Sequence, residues 1–237
     1  KDWRQNVRNQ TLGILREGLH DRAITRDIDW GVPVPLEGYE SKRIYVWFEA
    51  VIGYLSATRA WAEQQGTPDA WKKWWVEPDG ESYYFQGKDN VSFHTIMLPS
   101  ILLGSGELNM PTDVVANEYL NLGGIDFSKS RGHAVWLPDF LTRYEPDPLR
   151  YYLASIMPET SDSEFTWQGF HAANNNELVA TFGNFVHRVL TITTRNFDNT
   201  VPTPGRLDND DEVALNACDT ALKEVSNAID RRKFRDG

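Results

Sequence analysis

Hydrophobic and polar positions follow two different periods along the first half of the chain. Ile44, Tyr45, Val46, Trp47 and Phe48 form a β-branched and aromatic run that reads as a buried strand. Tyr83, Tyr84 and Phe85 form a second, ending at Gly87, and Asp113, Val114, Val115 and Ala116 form a third. After the first run, Val51, Tyr54, Leu55, Thr58, Trp61 and Ala62 recur at helical spacing, and residues 93–103 make a second, largely apolar helix. A short helix over 3–19, closed near Gly18, opens the chain. Pro33 and Pro35 then impose an extended connection. Strands alternating with helices predict an α/β fold on a parallel sheet.

The pattern changes in the second half. Residues 119–128 read as a small hairpin around Gly123 and Gly124. Beyond Pro158 no further strand is expected. Leu178, Phe182, Phe185, Val189 and Ile192 make one apolar helical stripe. Ala214, Cys218, Ala221, Leu222, Val225 and Ile229 make another, with a break at Pro202 and Pro204. An α/β region followed by a purely helical region predicts two modules.

Composition adds two constraints. The 237 residues are 41% hydrophobic and 24% charged, which suits an ordinary folded protein of one or two domains. Mean hydropathy is -0.50, and no apolar run is long enough to span a bilayer. With 34 acidic and 24 basic residues the net charge is -10, so the chain is no general nucleic-acid binder. Any such contact must be local, made by a few cations on one face. The lone cysteine, Cys218, excludes a disulfide framework and a multi-cysteine zinc site within the chain, and suits a reducing compartment. The chain starts at Lys1 with no secretory signal, and is expected to be a fragment of a longer protein.

Several residues can carry chemistry. Gly87, Lys88, Asp89 and Asn90 follow a predicted strand, where open parallel sheets bind ligands. A glycine admits a close ligand and a carboxylate can hold ribose hydroxyls, although a plain turn has the same composition. Trp47 and Tyr54 can wall an apolar pocket beside it, or simply pack in the core. His94 falls one helical turn after Asn90. The loop 127–132 carries Lys129 and Arg131 between glycine-flanked ends, and can lay a cation over a triphosphate or remain a solvated basic turn. Glu177, Thr181, Asn184, Arg188, Thr191 and Arg195 line one helical face, on which Asn184 and Arg188 project side by side. An amide beside a guanidinium can read bases in a single-stranded loop, or belong to a solvent face. Arg231, Arg232, Lys233 and Arg235 can touch phosphates or close a helix.

Segments 21–31, 46–54, 87–94, 117–120 and 127–132 occur in an order and number that resemble the methionyl-tRNA synthetase family of class I aminoacyl-tRNA synthetases. The resemblance runs from near the start to about Val201. It implies the second half of a Rossmann-like catalytic domain over 1–117, a connective stem-contact segment with the phosphate-binding loop over 118–165, and part of a helical anticodon-binding bundle over 166–237. It also implies activation of methionine with ATP and Mg²⁺, transfer of the methionyl group to tRNA, and a cytoplasmic enzyme. Gly87 and Asp89 would hold the adenosine and its ribose, and the backbone near Leu120 would meet the adenine. The phosphate-binding signature falls on 126–130, with Lys129 as its catalytic cation and Ser128 and Ser130 beside it. Trp47, Ala50, Tyr54, Asn90 and His94 would line the methionine slot, with the Tyr54 hydroxyl near the thioether. Asn184 and Arg188 would read the anticodon.

The sequence departs from the family pattern in places. Asp126 stands where the signature has a lysine, and Phe127 where it has methionine. Glu49 and Val51 stand where many members have aspartate and proline. No His-x-Gly-His motif and no cysteine-rich zinc knuckle occur; Arg131-Gly132-His133 lacks the first histidine. Alone, such a chain is expected to lack ATP–pyrophosphate exchange. A leucine-, isoleucine-, valine- or cysteine-type synthetase and a non-catalytic tRNA- or protein-binding relative are the alternatives.

Overall fold

The computed structural model describes residues 3–237, which divide into two compact units, 3–117 and 118–237. In the first unit, α1 (Gln5–Glu17) ends at Gly18, which adopts φ 92. Trp3 Nε1 donates to the Thr112 carbonyl at 3.1 Å, and Arg4 Nη1 to Asn117 Oδ1 at 2.6 Å. These bonds tie the helix start to the strand β4 (Asp113–Asn117). β4 pairs in parallel with β3 (Tyr83–Gly87), in register from Tyr83 opposite Asp113 to Gly87 opposite Asn117. Both strands are short runs of β-branched and aromatic residues, and Val114, Val115 and Ala116 are fully buried.

The strand expected over 44–48 is not there. Only Ile44 of that run belongs to a strand, in a two-residue antiparallel pair of β1 (Thr25–Arg26) with β2 (Arg43–Ile44). The chain then turns into α2 (Val46–Ala50), which buries none of its residues. Phe48 N–H donates to the Tyr45 carbonyl at 2.8 Å, so helical bonding begins where the ladder stops. The aromatic and β-branched side chains favour a strand only when a neighbouring strand pairs with them, and here tertiary context decides otherwise. α3 (Gly53–Gln64) follows as its apolar spacing predicts, then the short α4 (Lys72–Trp75).

After β3 the chain makes one 3-10 turn over Lys88–Asn90, a π-helical turn over Phe93–Met97, and α5 (Leu98–Ser105). Leu98, Leu102, Val91, Val7 and Val114 form the core of this unit. Each such side chain contributes about 1.5–3 kcal/mol by leaving water. Buried hydroxyls of Thr11 and Thr95 meet at 2.9 Å, pinning α1 to the π turn.

In the second unit, β5 (Leu120–Leu122) and β6 (Ile125–Asp126) form the expected hairpin, with Gly123 and Gly124 both in the left-handed region. α6 (Leu137–Leu141) and α7 (Pro146–Ser155) follow. A strand does occur beyond Pro158: β7 (Ser163–Phe165) pairs in parallel with β5. Ser163 and Glu164 have weak strand propensity; the free edge of β5 and burial of Phe165 specify the strand instead. α8 (Trp167–Ala172) starts at Thr166, whose hydroxyl accepts from Gly169 N–H. Phe140, Leu149, Tyr152, Phe165 and Phe170 make this unit's core.

The first apolar stripe lies on a π-helical stretch, Ala173–Gly183, running into α9 (Asn184–Asn196). The second lies on α10 (Asn209–Asp230). Phe182 and Phe185 are about two-thirds exposed, at 65% and 66%, and neither α9 nor α10 buries a residue. No helix among the described residues is long and apolar enough to cross a membrane.

Candidate active site

His94 organises the first unit's site. The π turn Phe93–Met97 widens the helix by one residue per turn, a feature common at functional positions. It carries His94 into the unit at 3% exposure. His94 Nδ1 lies 2.9 Å from the Asn90 carbonyl, which can only accept, so Nδ1 bears the proton. The other nitrogen, Nε2, is then the acceptor for the Tyr54 hydroxyl at 2.9 Å. Burial lowers the His94 pKa below its ordinary value, and the Asn90 carbonyl opposes this in part. The imidazole is therefore held neutral, in one tautomer, with Tyr54 as donor to it.

Aromatic faces surround this pair. Tyr84 meets Tyr54 edge-on at 5.2 Å and His94 at 5.6 Å. Burial pushes the Tyr84 phenol pKa up. Trp47 stacks on Phe93 at 4.7 Å with rings 15° apart, immediately beside His94 in sequence. Among the residues expected to line a methionine slot, Tyr54, Asn90 and His94 are directly bonded, and Trp47 stacks on the residue before His94. Ala50 lies exposed on the same face of α2 as Trp47, three residues on. Gly87 ends β3 and Asp89 lies exposed on the next turn, so both stand at the carboxyl end of a parallel strand.

Two open cavities flank this cluster. One, about 450 Å³, is lined by Tyr54, Thr58, Trp74, Trp75 and residues 82–85. The other, about 770 Å³, runs past Ile14, Phe48, Phe93, Ile96, Met97 and Ile101. Tyr84 and Phe93 were not singled out by sequence. Residues 83–85 are all aromatic, so only the structure's alternating burial marks Tyr84 as the inward residue, and a π turn leaves no sequence signal that aims Phe93 at Trp47.

In the second unit the loop 127–132 is a closed hairpin. Ser128 and His133 exchange backbone bonds at 2.8 and 2.9 Å, and Gly132 turns the chain at φ 67. Ser128 Oγ lies 3.3 Å from Ser130 Oγ, and His133 Nε2 reaches the Leu122 carbonyl at 2.7 Å. Lys129 and Arg131 stand exposed at the tip. Asp126, also exposed, belongs to β6 just before the loop. Leu120 starts β5 opposite Ser163, with its side chain against the unit's core. Asn184 and Arg188 are both exposed, one turn apart on α9. Among the described residues no three or more His, Cys, Asp or Glu gather as a metal cage.

The family model described as tRNA synthetases class I (M) matches residues 1–190. The chain belongs to this methionine-type class I synthetase family. A methionine–tRNA ligase of Thermomicrobium roseum is 52% identical over 234 residues, 98% of this chain and 40% of the relative. One of Dehalococcoides mccartyi is 60% identical over 190 residues, 80% of this chain and 34% of the relative. The chain thus spans two-fifths or less of the length of these curated synthetases. The solved Mycobacterium tuberculosis methionyl-tRNA synthetase in complex with methionyl-adenylate matches with a TM-score of 0.82 at 27% identity, over 98% of this chain and 44% of that one. These relatives do not favour a synthetase of the leucine, isoleucine, valine or cysteine type.

Proposed function

We propose that this chain is the part of a methionine–tRNA ligase that holds methionine, ATP and part of the tRNA. The observation that carries the reading is the hydrogen-bonded Tyr54–His94–Asn90 chain, with the Trp47–Phe93 stack one residue before His94 in sequence. A thioether has no strong hydrogen-bonding group, so it is selected by shape and aromatic contact. A neutral imidazole and rings meeting edge-on suit that task, whereas a charged one would favour a polar side chain. Trp47, Ala50, Tyr54, Asn90 and His94 line this slot in our reading. The relative solved with methionyl-adenylate supports the same ligand class here.

Gly87 and Asp89 then hold the adenosine, with the ribose hydroxyls donating to the carboxylate and the backbone near Leu120 against the adenine. A methionine carboxylate oxygen attacks the α-phosphorus, and the bond to pyrophosphate breaks. Lys129, flanked by Ser128 and Ser130, stabilises the charge that develops on the departing phosphates. A tRNA ribose hydroxyl later attacks the adenylate carbonyl and releases AMP. Mg²⁺ would supply charge neutralisation on the triphosphate; among the described residues no three or more His, Cys, Asp or Glu gather to hold it.

In the same reading, 1–117 is the second half of the nucleotide-binding domain and 118–165 the connective stem-contact segment. Residues 166–237 are part of an anticodon-binding helical bundle, with Asn184 and Arg188 reading bases. The family's ordinary compartment is the cytoplasm.

Lys129→Ala in the natural-length protein tests the catalytic reading. Methionine-dependent ATP–pyrophosphate exchange is expected to fall on the order of 10²-fold or more. An unchanged rate would favour a non-catalytic RNA-binding relative. Arg188→Ala is expected to leave exchange intact while narrowing the difference in charging between matched and altered anticodons. Equal charging of both by the unmodified enzyme would refute the base-reading role.

A further inference from the structure

Charge is sorted along α10. The helix opens on Asp208, whose carboxylate accepts from the Asp210 and Asp211 amides, with Glu212 next to them. Its 22 residues later give way to Arg231, Arg232, Lys233 and Arg235. At 1.5 Å per residue, the acidic and basic ends stand about 30 Å apart. Lys233 N–H donates to the Ala228 carbonyl at 2.9 Å and Arg232 N–H to that of Ile229 at 2.8 Å, the paired bonds that close many helices. The residue that turns the chain is Arg232, at φ 60, where glycine is usual.

A buried carboxylate from elsewhere in the unit grips this turn. Glu159 is 8% exposed, and one of its oxygens accepts the Phe234 amide at 2.6 Å and the Arg235 amide at 3.4 Å. Held so, Arg232 and Phe234 lie half-buried, while Arg231, Lys233 and Arg235 point to solvent. The flanking Asp230 and Asp236 oppose these cations in part. The Lys233–Asp236 pair is long, 3.7 Å, and exposed at both ends, so an incoming phosphate can displace it.

We propose that this turn binds the phosphodiester backbone of RNA through Arg231, Lys233 and Arg235, with Glu159 as the positioning residue beneath it. The inference rests on the reading of this unit as RNA-binding and adds a contact apart from Asn184 and Arg188. A chain of net charge -10 repels a polyanion over most of its surface, so attraction must be concentrated where acidic residues are displaced. Guanidinium groups match phosphate oxygens in pairs, and several exposed cations on one turn suit consecutive phosphates better than one isolated anion. Such contacts set affinity and register and do not read bases.

The test uses the natural-length protein and a tRNA(Met) transcript, with dissociation constants measured between 50 and 300 mM KCl, a range set by the usual salt sensitivity of phosphate contacts. The triple variant R231A/K233A/R235A is expected to bind roughly 10-fold more weakly at low salt. The loss should be equal for matched and altered anticodons, with a slope of log Kd against log salt shallower by about 2 to 3. Its melting temperature should not move, because the three side chains are exposed. Glu159→Ala should weaken binding in the same sense, and Glu159→Gln, which keeps an acceptor oxygen, should restore it. A triple variant with unmodified affinity and slope overturns the proposal while the RNA-binding reading stands. Absence of tRNA binding by the unmodified protein removes both.

Discussion

At the scale of single residues, the site depends on one proton. His94 is buried and neutral, bonded through both nitrogens, and its pKa is held below the ordinary 6.5 by burial. The folded protein therefore takes up this proton less readily than the unfolded chain. The stability that His94 supports is complete above about pH 6.5 and falls as the pH drops from there toward the folded-state pKa. The urea midpoint is expected to be lower at pH 5.5 than at pH 7.5, and His94→Gln should narrow that difference. Equal differences in both proteins would assign the pH effect to other groups. Tyr54→Phe leaves Nε2 without its donor, which should cost about 1 kcal/mol and raise KM for methionine more than for ATP. An equal rise in both constants would move Tyr54 out of the methionine slot.

At the scale of elements, what was legible depended on whether local pattern and tertiary context agreed. The helical spacing from Val51 to Ala62, the strand at Tyr84 and the Gly123–Gly124 turn were legible because each signal is local. Two expectations failed for a shared reason. Residues 46–48 have strand-forming side chains but no strand to pair with, and β7 opens on two poor strand formers, Ser163 and Glu164, placed against an open edge of β5. Neither pairing partner is written in the segment itself. The π turns at 93–97 and 173–183 were also hidden, since one extra residue per turn barely disturbs an apolar pattern. They matter to the site, because the first of them sets where His94 and Phe93 point. Gly169 gives an element-scale test. A Cβ there would run into the Tyr152 hydroxyl and the Thr166 cap. Gly169→Ala should therefore destabilise by about 2 kcal/mol in denaturant unfolding. A neutral substitution would show that α8 can shift away from α7 at little cost.

At the scale of the whole molecule, the candidate roles are spread over two units, each with its own core. The first carries the aromatic slot and the Gly87–Asp89 turn; the second carries the Lys129 loop, Asn184 and Arg188. Sequence order made these groups recognisable as a set, because their family resemblance is a matter of succession along the chain. The chemistry of each is fixed by short-range contacts that sequence does not spell out, such as Tyr54 on His94 or Ser128 on His133. Selectivity for methionine over other amino acids is the sharpest consequence. It is measured by ATP–pyrophosphate exchange in the natural-length protein, with methionine, leucine, isoleucine, valine or cysteine as the sole amino acid. Exchange with methionine, exceeding each of the others by on the order of 10²-fold and abolished by Trp47→Ala, is the predicted result. Exchange driven equally well by a branched aliphatic amino acid, or untouched by loss of Trp47, would contradict it.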